Sequence, residues 1–210
     1  MKVEQVALHS RAERSAYIAR RFRAMLSGKV LDVGCDKAVL RKLLPHLDYT
    51  GIDVAGDAGL RLDLEKIDRL PFEDGAFDCV VCSDVLEHLD NLHYIFGELI
   101  RVAKRYVIIS LPNNWKYARL PVARGEGRFG KYGLPVEPPR DRHKWFFGFS
   151  EAVHFIRTQA ERHPVSILEL FAAEKPRPFM RRASRRMRCP SQERYLNRYA
   201  HTLWAALEKK

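Results

Sequence analysis

Val30-Leu31-Asp32-Val33-Gly34-Cys35-Asp36 is a short β-branched run that ends in glycine, and Lys37 to Leu44 then returns to helical spacing before Pro45 stops it. Strand, tight turn and helix in that order open an α/β sheet. Upstream, Ser10 to Leu26 spaces Ala16, Ile18, Ala19, Phe22, Met25 and Leu26 among arginines, which predicts an amphipathic helix ending at Gly28. Downstream, Tyr49 to Asp53 reads as a second strand with an acid at its carboxyl end, and Leu60 to Asp63 as a shorter third. Only nine residues, 54–62, separate the two acids. A crossover containing a helix needs at least about ten to twelve, so the helix there is expected to be missing or reduced to a turn.

After the turn Pro71-Phe72-Glu73-Asp74-Gly75, the segment Phe77 to Cys82 is near-continuously apolar, as a parallel strand covered on both faces would be. A helix follows with Leu89, Leu92, Ile95, Phe96, Leu99 and Ile100 on one stripe, then a strand from Tyr106 to Leu111. Residues 112–149 change character. Prolines stand at 112, 121, 135, 138 and 139, yet Trp115, Tyr117, Phe129, Tyr132, Trp145, Phe146, Phe147 and Phe149 are too many aromatics for a disordered segment. We read this stretch as an ordered lid over the strand ends. Ser150 is expected to cap a helix from Glu151 to Ala160, Val165 to Ala172 to form a strand, a basic loop to fill 175–198, and Tyr199 to Leu207 to form the last strand. The expected whole is one α/β domain over 1–210: a Rossmann-like, mostly parallel sheet of about six to seven strands with helices on both faces.

Of the net charge of +11, none comes from the first 110 residues, which hold 16 Lys and Arg against 17 Asp and Glu. Residues 111–210 hold the other 21 basic and 9 acidic side chains, and the densest basic stretch, 175–188, would attract a polyanion or an anionic membrane surface. A solvated loop is the plain alternative. No apolar run is long enough to span a membrane, and Met1-Lys2-Val3-Glu4-Gln5 lacks the character of a signal peptide. The expectation is a cytoplasmic protein, with peripheral attachment to the inner face of the membrane left open by the basic stretch. Cys79 and Cys82 form a C-x-x-C string, but residues three apart on a strand point to opposite faces, which argues against a metal or redox pair.

Three segments together resemble a known family. Val30 to Asp36 is similar to the first motif of class I methyltransferases (V-L-D-x-G-C-G-x-G), Leu70 to Val80 to their L-P-F-x-D-x-S-F-D-x-V segment, and Asp84-Val85-Leu86-Glu87-His88-Leu89 to the x-L-E-H-L continuation. The resemblance covers about residues 28–111, and more weakly His143 to Phe147. It implies S-adenosylmethionine as cofactor. The methionine end of that cofactor needs a glycine where the backbone passes close and a helix N-terminus near its carboxylate, which Gly34, Cys35 and Asp36 would supply. Asp53 is placed to accept from the ribose hydroxyls, with Val54 beside it. The resemblance puts Asp63 and Leu64 at the adenine. Asp32 and Ser83 complete the expected cofactor set, Asp32 either holding the turn through backbone N–H groups or meeting the ammonium. Asp63 has a rival reading, as the cap of a short helix at 64–67. The pattern is broken at Asp36 and Ala38, where the family has glycine; Asp36 could turn aside as the N-cap of a helix from Lys37.

Methyl transfer from a sulfonium needs positioning above all, and a base for an acceptor hydroxyl or amine is optional. Asp84, His88 and His143 are the candidates, His88 with a structural role as its rival. No metal-binding acidic cluster is legible, so metal-independent chemistry on a small-molecule, saccharide or lipid-linked acceptor is expected. An RNA acceptor held by the basic half and a non-catalytic cofactor-binding relative remain as alternatives. The oligomeric state is not legible.

Overall fold

In the computed structural model, β2 (Lys29–Val33) lies between β3 (Asp48–Asp53) and β5 (Phe77–Ser83), parallel to both. Strand order reverses here, because β4 (Leu60–Arg61) adds outside β3 while β6 (Ala103–Pro112) adds outside β5. The structure describes residues 1–127, 130–134, 136–137 and 142–210. Beyond β6 come β8 (Thr202–Lys209), antiparallel to both its neighbours, then β7 (Val165–Glu174) and β1 (Lys2–Gln5). The sheet order is β1-β7-β8-β6-β5-β2-β3-β4, eight strands among the described residues rather than six or seven. The extra strand is β1. Its sequence Lys2-Val3-Glu4-Gln5 carries one apolar side chain, and its strand conformation comes from pairing with Phe171 to Glu174.

Two apolar layers cover the sheet. Leu31, Val80, Cys82, Ile109 and Leu207 face α3 (Leu92–Val102) and α5 (Phe149–Arg162) on one side, while Val30, Cys79, Val81, Ile108 and Trp204 meet α1 (Arg11–Arg21) on the other. Cys79 and Cys82 thus lie in opposite layers, both fully buried. No helix separates β3 from β4, as the short connection requires.

Several boundaries differ from expectation. α1 stops at Arg21, followed by turns to Gly28, and α2 covers only Val39–Leu43. α5 starts at Phe149, so Ser150 lies inside it; the carboxylate of Glu151 instead accepts from the Gly148 N–H at 2.7 Å. In the stretch read as a lid, α4 (Asn114–Ala123) forms despite Pro121. Phe129, Pro135, Pro138 and Pro139 lie outside the described residues. The basic stretch read as a loop is two helices, α6 (Phe179–Arg188) and α7 (Gln192–Tyr199).

The turn after β2 carries left-handed backbone at Asp36 (φ 48°) and Ala38 (φ 46°), the two places where glycine was missed. The fold therefore keeps the conformation glycine favours, at a cost of order 1–2 kcal/mol for a side chain with a Cβ, less for Asp. We expect Asp36→Gly to be at least as stable as wild type and Asp36→Val to lose about 1–2 kcal/mol in urea unfolding, since a β-branched side chain tolerates positive φ worst. Equal midpoints for the two variants would refute the left-handed backbone at 36.

Asp32, on β2, is buried and accepts from the Tyr49 hydroxyl at 2.7 Å. Desolvation pushes its pKa up to about 7, with Tyr49 opposing the rise and the charge of Asp53 adding to it. The folded state thus holds a proton that the unfolded chain releases near 3.8. Its stabilising effect is complete below that value and is lost as pH rises through about 7. Asp32→Asn should therefore gain stability relative to wild type between pH 5 and pH 8, read as urea midpoints at both. Parallel pH dependences would show that Asp32 is ionised throughout.

Candidate functional site

Gly34 leaves β2 at φ +76°, and a Cβ on it would meet Val85 Cγ2 at 2.3 Å, so only glycine lets the turn pass the segment after β5. The Gly34 and Cys35 N–H groups donate to Ile52 O at 2.8 and 3.2 Å, tying the turn to β3. The Asp36 N–H then donates to Asp53 Oδ2 at 2.9 Å, and the Ala55 N–H to Asp53 Oδ1 at 3.2 Å. Asp53 is therefore held rigidly at the carboxyl end of β3, with lone pairs remaining on each oxygen for hydroxyl donors. Val54 beside it is 64% exposed. The glycine passage and the oriented carboxylate fit the methionine and ribose parts of S-adenosylmethionine.

Asp36 does not cap a helix. α2 begins at Val39 with Ala38 in the cap position and no side-chain cap bond, so the helix terminus expected at Lys37 lies further along and is short. The Asp36 carboxylate instead sits 3.5 Å from the Arg11 guanidinium, which offsets its charge. Asp32 was expected to hold the turn through N–H groups or to meet the ammonium; among the described hydrogen bonds its partner is Tyr49. Asp63 accepts from the Glu65 N–H at 3.1 Å and pairs with Lys66, the arrangement of a turn cap, although 64–67 is a turn and not a helix. Leu64 is buried in the core cluster.

The ends of β5 and β6 carry a second group. Ser83 Oγ lies 2.8 Å from Ser110 Oγ, which donates to Asp84 Oδ1 at 2.5 Å, and Arg14 closes the series on Asp84 Oδ2 at 2.7 Å. Asp84 has a positive φ of 51°, the sort of backbone strain that gathers at functional sites. Asp84, His88 and His143 line a cavity of about 520 Å³ together with Arg14, Tyr117 and Tyr132. Of the residues expected at the cofactor, Asp32, Gly34, Cys35, Asp36, Asp53 and Asp63 lie outside its lining, toward the carboxyl ends of β2, β3 and β4; Arg11 spans both, lining the cavity and reaching Asp36.

His143 is 55 positions from His88 in sequence and reaches it by a docked segment. The Lys144 and Trp145 N–H groups donate to Glu87 O at 2.9 and 3.2 Å, Trp145 Nε1 to Leu89 O at 2.7 Å, and the Lys144 ammonium pairs with Glu65 and Asp90. The two imidazoles meet edge to face with ring centroids 4.6 Å apart. Their tautomers follow from the partners. Arg142 O, 2.9 Å from His88 Nδ1, can only accept, so neutral His88 carries its proton on Nδ1 and its lone pair on Nε2. Tyr132 gives its proton to Trp145 O at 2.9 Å, so His143 Nδ1, 2.8 Å from the same hydroxyl, donates to it. Glu87, Oε1 3.8 Å from His88 Nε2, completes a set whose donor atoms all lie within 4.8 Å of one another. The absence of a metal cluster was inferred from spacing alone, whereas the fold assembles three side chains of the kinds that bind divalent cations.

The sequence reading missed Arg11, Arg14, Tyr132 and Glu87. The arginines belong to a helix full of arginines, and nothing in their spacing marks the two that turn toward the strand ends.

The profile of the methyltransferase domain family matches residues 8–152. The ubiquinone biosynthesis O-methyltransferase of Glaesserella parasuis serovar 5 (strain SH0165) is 29% identical over 159 residues, covering 59% of this chain and 66% of that protein, just under two thirds of its length. A SAM-dependent methyltransferase from Archaeoglobus fulgidus superposes with a TM-score of 0.56 at 19% identity, over 96% of this chain and 95% of that one. The magnesium protoporphyrin IX methyltransferase of Synechocystis PCC 6803, solved with bound SAH, gives 0.55 at 16% identity over 95% and 83%. At these identities the structural likeness is one of fold. With the profile match covering the strand-end turn and all of the cavity lining except His201 and Thr202, the chain belongs to the methyltransferase domain family, of the class I, S-adenosylmethionine-dependent type.

Proposed function

We propose that this protein transfers a methyl group to a hydroxyl oxygen of a small-molecule or lipid-linked acceptor held in the cavity at the ends of β5 and β6. The observation that carries this reading is the pair of imidazoles beside buried Glu87, with His88 and His143 lining a cavity of about 520 Å³ next to the turn after β2. Its volume is that of a small-molecule site, and no residue of α6, where the arginines are densest, lines it; both points favour a small acceptor over RNA. The kinship with an O-methyltransferase of ubiquinone biosynthesis supports an oxygen acceptor.

S-adenosylmethionine supplies a methyl group on a sulfonium that is already a good leaving group. Asp53 and the Gly34 turn would hold it, and Tyr132 and Tyr117 would narrow the cavity around the acceptor. An imidazole would take the proton of the acceptor hydroxyl, whose oxygen the sulfonium would methylate as the methyl carbon–sulfur bond breaks and a neutral thioether leaves. Asp84 is a positioning residue here, since both its oxygens are already engaged by Ser110 and Arg14. A second reading rests on the donor set itself: Glu87, His88 and His143 would hold a divalent cation that binds the acceptor oxygen and lowers its pKa.

Calorimetry should show binding of S-adenosylmethionine and of its demethylated product, with Asp53→Ala weaker by about ten- to a hundredfold, the loss of a charged acceptor. Unchanged affinity in that variant would remove Asp53 from the ribose, and no binding to wild type would overturn methyl transfer from this cofactor. For the chemistry, a panel of phenolic, saccharide and isoprenoid-linked hydroxyl compounds is screened for methyl transfer, then assayed with a chelator. Loss of turnover restored by added divalent cation selects the cation reading. Turnover indifferent to chelator but reduced at least about a hundredfold in His143→Ala selects the base. Full turnover in His143→Ala and His88→Ala without cation would overturn both.

A further inference from the structure

α6 is turned the wrong way round for a helix of a water-exposed protein. At about 100° per residue, Phe179, Met180, Ala183 and Met187 share one arc of roughly 100°, and Arg181, Arg182, Arg185, Arg186 and Arg188 occupy the rest. A surface helix ordinarily buries such an apolar stripe. Here no residue of α6 is buried, and Phe179, Met180 and Met187 are 77%, 76% and 77% exposed. The contacts that hold the helix are made by arginine. Arg185 pairs with the buried carboxylate of Glu174 at 3.1 Å and stacks on Tyr199 at 4.3 Å, while Arg186 lies over Tyr195 at 5.1 Å.

We propose that α6 docks the protein on an anionic lipid surface, with Phe179, Met180 and Met187 entering the headgroup boundary and the neighbouring cations meeting phosphates. Whatever covers the stripe must offer shallow apolar depth ringed by negative charge. Lys175, Arg177, Arg181 and Arg182 flank the three apolar side chains, and no acidic residue occurs between Lys175 and Gln192. A bilayer interface with anionic headgroups has both properties, whereas a nucleic acid would engage the arginines and leave the methionines in water. Arg119 of α4 lies over the same Tyr199 ring at 5.6 Å; α4 exposes Trp115 and Val122, and its Tyr117 and Pro121 line the cavity. The docking itself is independent of the methyl-transfer reading.

The test is flotation of the full chain with phosphatidylcholine vesicles, with and without phosphatidylglycerol. Binding is expected only to the anionic vesicles, and Phe179→Ser/Met180→Ser/Met187→Ser should lower it at least about tenfold with every arginine intact. Arg177→Gln/Arg181→Gln/Arg182→Gln should weaken it and flatten its dependence on salt. Both variants alter exposed positions, and unchanged binding of S-adenosylmethionine by calorimetry shows that they are folded. In a Phe179→Trp variant, a blue shift of emission on anionic vesicles, relative to wild type, reports entry of this side chain into lipid. Wild type that fails to float overturns the proposal, as does flotation unaffected by the apolar substitutions. So does single-stranded RNA retention that needs the arginines alone, or a dimer in solution that the apolar substitutions dissociate.

Discussion

The close passage of Gly34 beneath Val85 is the constraint from which the site follows. At that point the chain leaves β2 while the segment after β5 leaves the neighbouring strand, and the absence of a Cβ on residue 34 allows the two to touch. The turn after β2 is then pressed toward β3, where Ile52 O collects two N–H groups and Asp53 a third. The same contact places Asp84 and the 3-10 turn Leu86–His88 at the rim of the cleft. Because the strands run parallel on either side of the reversal, their carboxyl ends face one crevice, where open α/β sheets bind ligands.

Charge within that crevice is arranged in pairs. Arg11 answers Asp36, and Arg14 answers Asp84, both from successive turns of α1. A carboxylate at the second glycine position would repel a cofactor carboxylate if it stood alone. Arg11 lies 60% exposed and Asp36 32%, so the pair is screened and contributes little to stability; its effect is on the local potential felt by an anion. Tyr49 and Asp32 form a drier pair behind the turn, where desolvation governs the carboxyl group.

The histidines depend on a longer chain of contacts. Glu87 O accepts from two consecutive N–H groups of the 144–145 segment, so the 3-10 turn that carries His88 also docks the segment that carries His143. Each ring is oriented by a hydrogen bond at Nδ1. Glu87 beside them is buried, and the ligand atoms of the three side chains lie within 4.8 Å of one another.

Much of this was legible in the residues. The apolar run ending at Gly34, the acid closing β3, and the continuous apolar strand at 77–83 declare a parallel sheet with its cleft at residues 34, 53 and 84, because strand period and the need for glycine are local properties. The too-short span between Asp53 and Asp63 likewise excluded a helix by length alone. β1 was not legible, since a four-residue strand with one apolar side chain exists only through its partner β7. The helices at 179–199 were hidden because arginine-rich stretches read as solvated loops, and what orders α6 is Glu174, Tyr195 and Tyr199, brought up from β7 and α7. Asp36 looked like a helix cap because sequence spacing says where apolar residues recur but not the sign of φ. The sequence by itself thus determined the parallel core of the sheet, the residues at its carboxyl ends and the family. Only the tertiary structure decided that His143 meets His88, that Arg11 and Arg14 face the acids, and that the apolar stripe of α6 points outward, because each of these is a contact between segments whose separation along the chain carries no trace of their distance in space.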